Sequence, residues 1–307
     1  MSTAVVTGAN GFIGRHLCGE LVRLGWHVRV ITRGAAPASP EKLAVAMASD
    51  CPELEQSLAG ADVVFNLAGI AHESLAQADP EALLAVNVDA AMRVLRAADR
   101  VAVPQLVWLS SIKVLGDVSD RPLRPNDPYR PGDAYARSKV RAEQVLQDYP
   151  ARATHLAVVR PPLVYGAGVG GNFLRLLRWV DKGVPLPLAT ASAPRSMVGI
   201  GNLCDLLCRL SEPNAGIFHV ADERDLSVAE LIGVLSDALD RPCRLWPMPQ
   251  QLLHAVARLA GRAATYSRLF DPLQVDQTHT AAALGWRPPY PNLAQLQATA
   301  AWFQQQQ

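Results

Sequence analysis

A strand-like run, Ala4-Val5-Val6-Thr7, leads directly into Gly8-Ala9-Asn10-Gly11-Phe12-Ile13-Gly14, and an amphipathic helical pattern follows at once. The three glycines let the backbone turn through conformations closed to other residues and let other groups approach the main chain closely. They also leave the first N–H groups of the coming helix facing outward, where an aligned peptide dipole favours a phosphate. Strand, glycine turn and helix in that order form the opening unit of a doubly wound dinucleotide-binding sheet. Gly8, Asn10, Gly11, Phe12, Ile13 and Gly14 are therefore candidate cofactor-binding residues.

The alternation continues for half the chain. Short runs rich in β-branched residues predict strands at Thr3–Thr7, His27–Thr32, Leu43–Ala48, Asp62–Leu67, Gln105–Ser110 and His155–Arg160. Helical patterns lie between them at Phe12–Leu24, Pro52–Leu58, Pro80–Asp99 and Ala134–Tyr149. Apolar strands without polar alternation suit a parallel sheet covered on both faces. At Pro161-Pro162 the ladder cannot continue and the chain must turn away. Helices then follow at Asn172–Lys182, Asn202–Leu210 and Val228–Leu239, with a strand at Gly216–Ala221, in a proline-punctuated sequence. The expected fold is α/β: a Rossmann-type doubly wound parallel sheet with a smaller, helix-rich C-terminal lobe. The expected division is 1–162 and 163–307, with some elements of the second part crossing back.

Composition excludes several classes. The 307 residues are half apolar and carry a formal charge of +1, which leaves no basic footprint for nucleic acid. No apolar run reaches transmembrane length, and the N-terminus enters the first strand without a targeting pattern, so a cytoplasmic protein with no membrane insertion is expected. The five cysteines are scattered, with no His or second Cys pair to complete a metal set.

Tyr135 and Lys139 stand four apart on a predicted helix, so phenol and ammonium share a face. A nearby cation stabilises a phenolate and draws its pKa toward the working range of an acid–base catalyst. Ser110 and Ser111 close the strand Leu106-Val107-Trp108-Leu109 at its carboxyl end, where an open α/β sheet places its ligand.

These residues resemble the extended short-chain dehydrogenase/reductase family, in particular its nucleotide-sugar epimerase, dehydratase and reductase branch. The likeness runs through the glycine loop, Asn66-Leu67-Ala68-Gly69, Val86-Asn87-Val88 and Ser110-Ser111-Ile112-Lys113-Val114. It continues through Tyr135 to Lys139, Arg160-Pro161-Pro162-Leu163-Val164-Tyr165-Gly166 and Leu284-Gly285-Trp286-Arg287-Pro288. The resemblance implies Tyr135 as acid–base catalyst, Lys139 as its partner and ribose ligand, and Ser111 as the hydroxyl that holds the substrate oxygen. It places Leu67, Ala68, Gly69 and Asn87 near the cofactor and Pro161 beside the nicotinamide. Arg160 admits two readings, a structural end-of-strand residue or part of that same wall. NAD-preferring members usually end the second strand with an acidic residue; here Ile31-Thr32-Arg33-Gly34 carries a cation suited to a 2′-phosphate. NADP(H) is thus favoured and NAD(H) is the alternative.

In the C-terminal lobe, Asn172 is a good helix N-cap, and the resemblance places it at the nucleotide of a nucleotide-diphosphate sugar. Arg195 resembles an arginine that binds the diphosphate, Arg268 takes a similar part, and Lys113 joins the substrate set. His72 can be an exposed loop residue or reach the substrate. A dehydratase would carry Asp-Glu directly after its catalytic hydroxyl, whereas this chain has Ile112-Lys113, so dehydration lacks its acid and base. The leading expectation is reduction of a 4-keto, 6-deoxy, N-acetylated nucleotide-diphosphate sugar at C4. A UDP-hexose 4-epimerase with tightly held NAD is the alternative, and a non-catalytic dinucleotide-binding scaffold is the third. Homodimerisation is expected from the resemblance.

Overall fold

A computed structural model describes residues 1–32, 42–44, 52–69, 83–259, 261 and 263–306. Seven strands form one sheet in the order β3-β2-β1-β4-β5-β6-β9, each pair parallel. They are β1 (Thr3–Thr7), β2 (His27–Thr32), β3 (Lys42–Ala44), β4 (Val63–Asn66), β5 (Gln105–Leu109), β6 (His155–Arg160) and β9 (Gly216–His219). The order reverses between β1 and β4, so the crevice for a ligand opens at the carboxyl ends of these two strands.

The strand sequences explain the layers. Successive side chains leave opposite faces of a strand, and in β1 Ala4 and Val6 face one way while Val5 faces the other. On the first face, Val28, Val30, Phe65 and Val159 pack with Leu17 and Leu21 of α1 (Phe12–Arg23) and Leu203 and Leu206 of α6 (Ile200–Arg209). The second face packs Ile31, Val64, Leu106, Trp108 and Val158 on three helices. These are α2 (Pro52–Leu58), α3 (Ala90–Arg100) and α4 (Ala134–Gln147). A turn of π-helix, Ala85–Asp89, precedes α3 and carries Asn87.

The C-terminal lobe has its own core. Tyr165 and side chains of α5 (Gly171–Asp181), α7 (Val228–Ala238) and α11 (Asn292–Gln304) bury one another there. The remaining helices are α8 (Gln250–Leu259), α9 (Ala263–Phe270) and α10 (Thr278–Leu284). Two three-residue strands, β7 (Leu163–Tyr165) and β8 (Met197–Gly199), form a separate parallel pair directly after the double proline. The seventh sheet strand, β9, comes from beyond residue 162, and α6 covers α1, so the sheet layer extends across the expected division. Among the described residues no helix is long and apolar enough to cross a membrane.

His219, fully buried at the end of β9, reports on the acid side of stability. One ring nitrogen, Nδ1, lies 3.1 Å from the Leu123 carbonyl and so carries the proton. Burial, reinforced by the Arg160 charge, pushes its pKa down to about 4. An unfolded histidine takes up its proton near 6.5, so the stability of the neutral folded form is complete above that value and declines as pH falls toward 4. Urea unfolding should show a decline of roughly 2–3 kcal/mol across this window, and His219→Gln should flatten it.

Candidate active site

The glycine loop closes on itself at the switch point of the sheet. Gly11 donates its N–H to the Gly8 carbonyl at 2.9 Å, and Gly8 adopts φ +70°. A Cβ on Gly8 would stand 2.8 Å from the Ala68 nitrogen, and one on Gly14 would stand 2.3 Å from the Gly8 oxygen. Thr7 ties this turn to the next strand, donating to Asn66 Oδ1 at 2.8 Å and accepting from the Ala68 N–H at 3.2 Å. The N-cap of α1 is Gly11, and no side chain among the described residues caps it. The cradle thus presents glycine backbone and an uncapped helix N-terminus, a fit for the pyrophosphate of a dinucleotide. Asn10 is exposed on this loop, Ile13 packs on the sheet core, and Phe12 packs against the core of the C-terminal lobe. Gly14→Ala should weaken dinucleotide binding about tenfold or more, measured by calorimetry, since overpacking costs about 1–3 kcal/mol. Gly19→Ala, at a position on the same helix with nothing within 4 Å, should leave binding unchanged.

The catalytic candidates converge beside this cradle. Ser111 follows β5, is buried, and caps a short 3-10 turn by accepting the Lys113 N–H at 3.3 Å. Tyr135 lies in the first turn of α4 and is hydrogen-bonded to Ser111. Burial pushes the Tyr135 pKa up to about 12; the Ser111 bond pulls it down, and the Asp133 charge pushes it up further. The buried Lys139 ammonium donates to the Leu109 carbonyl at 2.8 Å and sits 4.5 Å above the Trp108 ring. Burial lowers its pKa to about 8, while the Glu143 charge raises it.

Asn87 extends the arrangement from below. Its Nδ2 donates to Ser138 Oγ at 2.9 Å, and Ser138 in turn donates to the Tyr135 carbonyl at 2.8 Å. A Cβ on Gly69 would lie 3.1 Å from Asn87 Oδ1 and 3.5 Å from Lys139 Nζ, so the loop after β4 runs close over both. Pro161 accepts the Ile112 N–H at 2.9 Å, which locks the segment after β6 to the Ser111 turn.

Ser110 has a different task from its neighbour. Its hydroxyl donates to Glu143, which also accepts from Arg160 Nε at 3.0 Å and Tyr129 Oη at 2.9 Å. Arg160 and Glu143 are both enclosed, and Arg160 Nη1 donates to the Pro125 carbonyl at 2.8 Å. Arg160 therefore belongs to a buried structural network beneath the site, which resolves its two readings. Glu143 escaped the sequence reading, although it lies one helical turn beyond Lys139.

The substrate candidates divide. Lys113 Nζ bonds the Asp133 carboxylate and lies 3.6 Å from Asp117 Oδ1. Arg268 reaches the same two carboxylates at 3.6 and 3.7 Å, and its buried Nε has no partner among the described residues. Arg195 donates to the Asp271 carbonyl and reaches the Asp117 carbonyl at 3.4 Å. Lys113, Arg195 and Arg268 are thus brought together at the edge of the Ser111–Tyr135 pair. Asn172 stands apart: it is exposed, accepts from Arg175, and leaves the N-cap of α5 to Gly170. The helix begins at Gly171, and its N-cap Gly170, two residues before Asn172, adopts the extended entry conformation. Arg33 and His72 lie outside the described residues.

A phosphate cradle at the switch point, with a Ser–Tyr–Lys constellation beside it, defines a nicotinamide-dependent oxidoreductase or epimerase of the α/β class. The chain belongs to the NAD dependent epimerase/dehydratase family, whose pattern it matches over residues 4–216. It is similar to a UDP-glucose 4-epimerase of Vibrio cholerae, 33% identical over 98% of this chain and 95% of the relative. It is also similar to a dTDP-4-dehydrorhamnose reductase of Mycobacterium tuberculosis, 28% identical over 71% of this chain and 69% of that one. The solved structure of MoeE5 in complex with UDP-glucose and NAD shares the fold, with a TM-score of 0.79, 23% identity and 99% of each chain covered.

Proposed function

We propose that the protein reduces the C4 ketone of a nucleotide-diphosphate sugar, with Ser111, Tyr135 and Lys139 as its catalytic residues. The observation that carries this reading is the Ser111–Tyr135 hydroxyl pair, with Lys139 one turn further along α4 and close to the loop after β4. A protonated phenol suits the reductive direction, in which the ketone oxygen gains negative charge and needs a proton. A reduced nicotinamide bound at the glycine cradle supplies the hydride. Ser111 holds the carbonyl oxygen, Tyr135 transfers its proton to the forming alkoxide, and Lys139 holds the ribose and steadies the resulting phenolate. Ketone, hydride and proton balance to the secondary alcohol. Arg195 and Arg268, beside the Lys113–Asp133 pair, are assigned to the sugar diphosphate, and Asn172 is assigned to its nucleotide end from the family resemblance. The 6-deoxy, N-acetylated sugar rests on the family resemblance of the Ser110–Val114 segment. NADP(H) is assigned from Arg33 directly after β2, where no carboxylate stands. A homodimer is part of the same proposal.

A second reading is a UDP-hexose 4-epimerase, favoured by the near full-length likeness to the Vibrio cholerae relative. The test mixes the purified protein with NADPH or NADH and a 4-keto nucleotide sugar, following the loss of reduced-cofactor absorbance. Equimolar consumption, faster with NADPH, is expected. No oxidation of either cofactor, together with epimerisation of UDP-glucose without added cofactor, would establish the second reading instead.

A further inference from the structure

We infer that Lys113 and Asp133 form a charged strap across the two catalytic hydroxyls, and that both are positioning residues which set the proton balance of Tyr135. The inference deepens the proposed function and rests on it only in taking Tyr135 as the proton donor.

Lys113 is attached to both sides of the site. Its main-chain N–H donates to Ser111 Oγ at 3.3 Å, and its ammonium bonds the Asp133 carboxylate. Asp133 holds the other side: its Oδ1 accepts the Ala136 N–H at 2.8 Å and so caps the helix that presents Tyr135. One lysine therefore joins the turn of the first hydroxyl to the helix start of the second. A helix cap needs an oxygen acceptor, which Ser or Asn would supply without charge. The carboxylate and its ammonium partner add something a cap alone does not require.

Their surroundings make the charges count. Side-chain exposure is 18% for Lys113 and 24% for Asp133, so the pair is mostly enclosed and its field is less screened than that of a surface pair. Among the described residues, Asp117 and Arg268 face the pair, Arg195 reaches the Asp117 carbonyl beside them, and Lys139, with the Glu143 charge behind it, faces the site from within α4. An anion at Asp133 favours the protonated phenol, and the Lys113 cation offsets that anion. Removing the cation should make Tyr135 harder to ionise, and removing the anion should make it easier. A purely mechanical strap predicts no such opposed signs.

The test is a tyrosinate absorbance titration of the intact protein with oxidised nicotinamide dinucleotide bound, with Tyr135→Phe protein as the reference. The positive charge that the oxidised cofactor would bring to the site lowers the phenol's transition toward an accessible range. Lys113→Met should raise the transition and Asp133→Asn should lower it, each by roughly one pH unit, while Lys113→Arg leaves it near the wild-type value. Asp133→Ser keeps a capping oxygen without the charge and should lower the transition as Asp133→Asn does, which decides the matter even if Lys113→Met fails to fold. Unmoved transitions in the Asp133 variants, or shifts of one sign in both the Lys113→Met and Asp133→Asn proteins, would overturn the inference. No sugar enters this measurement, so a failed reductase assay with opposed shifts intact would remove the reaction and leave the strap.

Discussion

Tyr135→Phe is expected to lower the rate of keto-sugar reduction by roughly 10²–10⁴-fold, the usual contribution of a positioned proton donor. The ring and its packing survive the change, so the loss should fall on kcat and leave dinucleotide affinity close to wild type. The physical reason is local. Ser111 is buried and stays hydrogen-bonded to the Lys113 N–H, so it can still hold the ketone oxygen, but no acid remains to neutralise the alkoxide. Steady-state kinetics with the 4-keto sugar provides the check. A variant within threefold of wild type would remove Tyr135 from the chemistry.

Glu143→Met should cost about 3–5 kcal/mol of stability, the penalty for leaving one member of a buried ion pair without its partner. Arg160, only 1% exposed, would keep a full charge with the Pro125 carbonyl and the Tyr129 ring face in place of a carboxylate. The Ser110 and Tyr129 hydroxyls would lose their acceptor at the same time. The pair Glu143→Met and Arg160→Met together should recover much of the loss, because two matched apolar side chains carry no orphaned charge. Urea unfolding measures both. A single-variant loss below about 1 kcal/mol would show that water or a rearranged side chain reaches the Arg160 guanidinium. Such a result would also weaken the account of the site, since this network underlies the strand end that carries Ser110 and the helix that carries Lys139.

Much of this architecture was readable in the chain. The strands at Thr3–Thr7, His27–Thr32 and His155–Arg160 fall where their apolar runs predict, because parallel strands buried on both faces leave an unbroken hydrophobic signature. The β7–β8 pair was not readable: three residues after a double proline give too little pattern to separate strand from turn. The π-helical turn at Asn87 also has no local signal, since its extra residue is accommodated by packing against α4 rather than by composition. In the site, Tyr135 and Lys139 were marked by their spacing and Ser110 and Ser111 by the strand end, while the choice of Ser111 between the two serines came from the family resemblance. Glu143 was not legible, because a glutamate on a polar helix reads as solvated until a charged residue at an apolar strand end, Arg160, is seen to need a partner. Asp133 offered a clearer clue, as an Asp directly before a helix is a cap by default. Its bond to Lys113 depends on two loops meeting, which no local pattern reveals.

The most direct test of hydride transfer at this site uses NADPH carrying deuterium at the transferable position of its nicotinamide. Proton NMR of the product should show one deuteron at sugar C4 with wild-type protein and, on the same timescale, almost no labelled product with Tyr135→Phe. A product unlabelled at C4, or one labelled equally fast without the tyrosine hydroxyl, would contradict the account.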